Sequence, residues 1–477
     1  MRLLILVLSV FCLTDLLNAQ PVYTTHKDTL HSKDKIFTVK FSCSSKQYTL
    51  PNDTGDTIDF GMDGRPGLYV TAWIGQDSLI IHNTSFPYFQ VHYIPIVLAG
   101  KKHVFRWHFN DVRGYYPSDY NKKNRGKVQI EVPEIFELAN VILLLSPSGR
   151  KANNIRKNGS YYDSLMTYFK PFQDHPLLKK LDFEDGDYMR SYYEFRENSI
   201  CFDFDGDKLV RSENYFFING SDDSTFSNLF KNNLAEIADF AKISDFRKFY
   251  KMHNGYYEQL IDKQRNMMKA EEMWSWLEKE FPRPKFSSYK VLFSPLILSS
   301  HSTQRFSSWD YQAEERFQEC VMFVSGPDIY DRRADLSEMQ KAGFVSGVVF
   351  TEIDHNYVNA RSGDYEESID SIFSTRALWV DATKENRFYG TPSTIFNEYM
   401  THALFCLYAY DHFNSETSAF LVSAREKLMV SQRGFIQFPA FNKALVMLKK
   451  ERPSESIYDL YPRVLDWCRQ FADKQSR

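Results

Sequence analysis

The stretch from Val132 to Leu145 constrains this chain more than any other. Pro133 and Glu134 suit the first turn of a helix, and the following IFELANVILLL is apolar on almost every side. A helix of that composition cannot lie on a surface with one face in water. It must be enclosed by other elements, so the chain has to build a substantial core around it.

The rest of the chain divides into two parts. From Gln20 to about Lys127 the pattern is β: KIFTVKFS (Lys35 to Ser42), Leu68 to Ile74 and Ser78 to His82 alternate, and Gly- and Asp-rich clusters such as Asp63-Gly64-Arg65-Pro66-Gly67 punctuate them. This predicts an N-terminal antiparallel β domain over 20–127, with no catalytic constellation in it. Residues 128–477 read as a mostly helical domain with a small sheet, giving an α+β chain. Helices are expected at Tyr161 to Phe172, from Phe226 to Phe281 with a break at His253-Asn254-Gly255, and at 345–359, 397–413, 416–429, 441–450 and 456–471. The aromatic and β-branched run from Tyr192 to Phe204 predicts strands, with Asp205-Gly206 as a hairpin turn. VLFSPLIL (Val291 to Leu298) and Cys320 to Val324 read as strands, the first near a sheet edge because Pro295 interrupts it.

Met1-Arg2, an apolar run from Leu3 to Leu17 and Asn18-Ala19-Gln20 have the form of a secretory signal peptide over 1–19, cleaved after Ala19. An exported protein is expected, periplasmic, surface-bound or extracellular, with no integral membrane segment after cleavage. Cys43, Cys201, Cys320, Cys406 and Cys468 then remain. They are scattered, odd in number and form no C-x-x-C pair, which argues against a disulfide scaffold or a cysteine-held metal. Cys320, Cys406 and Cys468 sit in apolar surroundings and read as small buried hydrophobes. The net charge of -3, with no basic stripe, argues against nucleic acid as a partner.

The chemistry is carried by Phe350-Thr351-Glu352-Ile353-Asp354-His355-Asn356-Tyr357-Val358-Asn359. In an H-E-x-x-H helix two histidines one turn apart hold zinc, and the glutamate polarises the metal-bound water. Here Glu352 and His355 occupy the second and fifth places, and Thr351 stands where the first histidine belongs. A later helix opening Phe396-Asn397-Glu398-Tyr399 could supply a carboxylate ligand in Glu398. His402, one turn on, offers a substitute nitrogen ligand or an electrophilic donor. The assignment is Glu352 as general base, His355 and Glu398 as ligands of zinc with His402 as a third donor, and His301 and Tyr399 as substrate-side groups. His301, in Leu298-Ser299-Ser300-His301-Ser302, also reads simply as part of a polar turn. Asp203, Asp205 and Asp207 alternate like a calcium loop, but Asn214 holds the place of its bidentate glutamate, so a hairpin is the better reading. A hydrolase pairing Cys320 with His355 has little support, since Cys320 falls within the apolar run CVMFV.

These residues resemble the DUF4932 family of exported bacterial proteins, whose members often carry a helix close to H-E-F-x-H-S-F-V-N-P and look like gluzincin-related peptidases. The resemblance rests on Val132 to Asn140, Tyr168-Phe169 with His175-Pro176, Phe350 to Asn359 and Asn397-Glu398-Tyr399, and spans Val128 to Lys450. It implies a gluzincin-like fold for 128–477, Glu352 as catalytic glutamate, His355 as second histidine and Glu398 as third ligand, with Asn359 matching the asparagine after the helix. Thr351 departs from the pattern. Two expectations follow: an exported metallopeptidase acting on a peptide or protein laid along an edge strand near Ser294 to His301, or an inactive peptidase-like scaffold binding peptide, glycan or protein at the cell envelope.

Overall fold

The computed structural model describes the strands between residues 22 and 114, and residues 118–475 apart from 184–187, 213, 216–228, 309–316 and 385–388. The leader read at 1–19, and Cys43, lie outside the described residues. The chain separates into two compact units, 1–112 and 113–477, ahead of the change of pattern read at 127/128.

The first unit contains two sheets. One runs Val22–Thr25, Asp77–His82, Tyr69–Ile74, Ile36–Lys40, Ser45–Thr49, and each of its pairs is antiparallel. The other runs Leu30–Ser32, Val91–Leu98, Lys101–Asn110, Thr57–Asp63. Its central pair is antiparallel and its two outer pairs are parallel. The expected purely antiparallel domain is thus corrected to one antiparallel and one mixed sheet. Alternation of side chains reports which face is wet, and strand direction is set by the connections instead.

In the second unit a mixed sheet runs Val112–Gly114, Ser302–Ser308, Gln318–Ser325, Ser288–Ser294, Val128–Glu131. Ser302–Ser308 is antiparallel to Gln318–Ser325, and the last three strands are mutually parallel. Ser288–Ser294 is therefore central, with all seven residues buried, and ends before Pro295 instead of running through it to an edge. Helix Glu134–Leu145 buries every residue from Ile135 to Leu145 beside this sheet, as its all-round apolar sequence requires. The stretch expected as strands from Tyr192 is helix Tyr188–Asn198 followed by hairpin Phe202–Asp205/Lys208–Arg211, with Gly206 at φ +59° in its turn. Tyr192 and Phe195, three apart, are both buried, so helical packing outweighs their β-propensity. Among the described residues no helix is long and apolar enough to cross a membrane.

Two long helices position the candidate site. Glu338–Ser362 starts with a capping box between Ser337 and Gln340 and carries Glu352 and His355. Pro392–His412 starts at Thr391, capped by Thr394, with Pro392 at the first position; it carries Glu398 and His402. They pack on each other, and Ser415–Lys427 packs on both. The close approach is sequence-encoded in a small-residue stripe, Gly343, Gly347 and Thr351, spaced one turn apart. A Cβ on Gly343 would lie 2.4 Å from Leu421 Cδ1; one on Gly347 would lie 2.5 Å from Arg425 Nη2 and 2.8 Å from Phe405 Cζ. Gly343→Ala should therefore lower stability by about 1–3 kcal/mol, measured as a shift in the urea midpoint. An unchanged midpoint would show that the three helices have slack at their crossing.

Candidate functional site

The side chains of His355, Glu398 and His402 meet where these helices cross. Glu398, only 7% exposed, is the centre. Its Oε1 lies 3.4 Å from His355 Nε2, and its Oε2 lies 3.3 Å from His402 Nε2 and 2.7 Å from Arg433 Nη1. Burial opposes the charged carboxylate, but the hydrogen bonds from His355 and His402 and the charge of Arg433 outweigh it, holding the group well below the usual carboxylate range.

Arg433 reaches this point through an irregular turn. Helix Ser415–Lys427 widens into a π-helical turn at Leu428–Gln432, and Gly434, at φ +77°, ends it. Arg433 also lies 2.8 Å from His402 Nε2 and 3.4 Å from the Tyr389 hydroxyl. A second guanidinium, Arg425, passes over the bare face of Gly347, stacks 4.4 Å from the Phe405 ring and comes 2.8 Å from His402 Nδ1. A neutral imidazole has one acceptor nitrogen. In either tautomer, that lone pair of His402 faces a guanidinium. Burial, with Arg433 and Arg425 beside it, pushes His402 down to about 3 and keeps it neutral.

His355 stays partly open, with its Nδ1 3.4 Å from Thr401 Oγ1. Burial disfavours its charge, yet Glu398, Asp354 and Glu352 together raise it to about 9. Glu352 is half-buried and its carboxylate has no hydrogen-bond partner among the described residues. Desolvation is the main cause that raises it to about 7, with Glu398 adding to the effect and His355 and Arg433 opposing it. Asp354 is fully buried, and burial pushes it well above the ordinary range against the opposing charge of His355 and the Thr401 hydroxyl.

Thr351 does not face this cluster as a ligand. Its hydroxyl donates back into its own helix, to the carbonyls of Gly347 and Val348, both at 3.0 Å. Tyr399 is fully buried on another side of its helix; its hydroxyl donates to the Trp379 carbonyl at 2.6 Å and accepts from Gln437 N at 3.1 Å. It is not available to an oxyanion. His301 feels the charges of Arg196 and Arg433, and burial is the main cause that lowers it to about 3, with its Nε2 left without a partner. Its loop is pinned by the buried Arg196, which donates to Ser300 O at 3.2 Å and Ser302 Oγ at 2.9 Å. The expected substrate-bearing edge strand from Ser294 to His301 is corrected. Ser294 ends a central strand, and the strands beside the motif helix are Ser302–Ser308 and Gln318–Ser325. Cys320 is likewise set apart from His355. It is buried against Thr303, Asn356 and Met322, and its thiol is pushed up to about 12, chiefly by burial.

The sequence pointed to Glu352, His355, Glu398 and His402, and these four lie around one junction. It did not point to Arg433 or Arg425, which come from a third helix and carry no motif. Zinc requires several lone pairs aimed at one point. Glu398 Oε2 accepts from Arg433, His402 faces two guanidinium groups and Thr351 bonds to its own backbone, so the side chains as arranged do not fit that ion. Comparison with protein-family models, with curated proteins and with solved structures gives no match to this chain.

The charges predict a pH dependence of stability. Glu398, depressed when folded, contributes stability above its unfolded value near 4.5 and loses it as pH falls below that value. His355, raised to about 9, contributes fully below 6.5 and loses the contribution as pH climbs to about 9. Glu352, raised to about 7, stays protonated when folded, so stability falls as pH rises from about 4.5 to 7 and the cost remains above it. The stability these three groups contribute should thus be greatest near pH 4.5 and decline toward pH 9, as read from urea midpoints. Glu352→Gln should flatten the slope below pH 7; an unaltered slope would place Glu352 in water.

Proposed function

We propose that this chain is an exported, peptidase-like scaffold that binds an extended peptide or protein segment at the Glu352–His355 junction without cleaving it. The observation that carries this reading is the orientation of Thr351. With its hydroxyl bonded to the Gly347 and Val348 carbonyls, the position of the first metal ligand offers no donor, and Glu352 has no metal-bound water to activate. The peptidase-like part rests on the likeness of Phe350 to Asn359 and of Asn397-Glu398-Tyr399 to that family. What remains at the mouth of the junction suits binding. Glu352 presents an unpartnered carboxyl group, and His355 and Arg433, 22% and 34% exposed, present donors on either side of Glu398. Strand Ser302–Ser308 packs beside the motif helix but is not an edge strand of its sheet, so side chains and not strand pairing hold the occupant.

The test is a casein digest incubated with the purified protein, with and without added zinc. New amino termini should not accumulate, while part of the peptide mixture should be retained on the immobilised protein. Glu352→Ala should weaken retention of the tightest peptides by about tenfold, the size expected for one lost hydrogen bond to a charged group. Zinc-dependent cleavage that disappears in Glu352→Gln would instead establish a metallopeptidase.

A further inference from the structure

We infer that the guanidinium of Arg433 takes the position a divalent metal would need at this junction, so that the native protein is closed to zinc. The inference builds on the binding reading above by naming what fills the site. Three features point to Arg433 as a built-in cation. Its Nη1 touches the two groups that would have to turn toward a metal, Glu398 Oε2 at 2.7 Å and His402 Nε2 at 2.8 Å. It is delivered by a π-helical turn, Leu428–Gln432, whose extra residue per turn changes the direction in which the chain emerges. And the arrangement is braced from behind: Arg425 occupies the other nitrogen of His402 because Gly347 leaves room for it.

The small side chain at 351 belongs to the same arrangement. Gly343, Gly347 and Thr351 form one stripe, and helix Ser415–Lys427 needs its two glycines bare for Leu421 and Arg425 to reach the crossing. A histidine at 351 would place a ring one turn from the guanidinium berth. Two arginines, Arg425 and Arg433, bring two positive charges to the histidine–carboxylate cluster, matching the charge of the divalent ion without its geometry. The arrangement thereby keeps Glu398 ionised and buried with no metal.

The experiment compares the native protein with R433M and R433K after incubation with zinc chloride and removal of free metal. Bound zinc is measured by elemental analysis and the melting temperature is taken with and without zinc. The native protein should hold no stoichiometric zinc and melt at the same temperature in both cases. R433M should melt several degrees lower, retain zinc and recover part of the lost temperature when zinc is present. R433K, which restores a compact positive charge, should lie between them. If R433M does not fold, R433Q, which keeps an N–H for Glu398, takes its place. Stoichiometric zinc in the native protein overturns the inference, and so does a folded R433M or R433Q variant that ignores zinc. Peptide cleavage by native protein lacking zinc would sink the binding reading and leave this one standing.

Discussion

Glu398 is the charge around which the second unit is arranged. An ionised carboxylate removed from water is costly unless it is hydrogen-bonded and paired, and breaking such a pair from one side costs about 3–5 kcal/mol. Here the partners come from three separate elements: His355 from Glu338–Ser362, His402 from its own helix and Arg433 from the turn after Ser415–Lys427. Satisfying one carboxylate therefore fixes the relative register of three helices. That requirement explains why the glycine stripe, the π-helical turn and the buried arginine occur together. The π-helical turn brings Arg433 to Glu398, and the glycine stripe admits Arg425 to the far nitrogen of His402.

The same geometry gives Thr351 a physical meaning. In a metal-binding helix the residue one turn before His355 must project a lone pair. In this helix the two positions before it on the same stripe, Gly343 and Gly347, must be small, because the neighbouring helix crosses them with Leu421 and Arg425 in contact, and Thr351 projects its hydroxyl back into the helix. The threonine hydroxyl satisfies itself on the preceding turn. The junction is held by hydrogen bonds and ion pairs among a carboxylate, two imidazoles and a guanidinium.

Much of the fold was legible because it rests on local periodicity. The helix at 134–145 and the helices read at 345–359 and 397–413 were legible from apolar spacing, the last two beginning earlier in the structure, at the capped positions 338 and 392, and Glu352, His355, Glu398 and His402 could be paired from their spacing. Misreadings arose where long-range packing reversed a local preference. Tyr192 and Phe195 favour strands in isolation but are buried on a helix, and Pro295 follows a central strand that simply ends before it. Tyr399 looked like a site residue through its proximity to Glu398, yet adjacent residues on a helix point about 100° apart, and its hydroxyl serves the Trp379 and Gln437 backbone instead.

The sequence by itself determined that the segments carrying Glu352 and Glu398 are helical, that Glu134–Leu145 must be interior, and which acid and imidazole groups share helix faces, because these follow from spacings of three and four residues. The tertiary structure alone decided that Arg433 and Arg425 join those groups, that His402 stays neutral between them and that Thr351 turns inward. Those outcomes depend on how closely three helices cross. A crossing distance is set by the summed bulk of residues far apart in the chain, which no local pattern records.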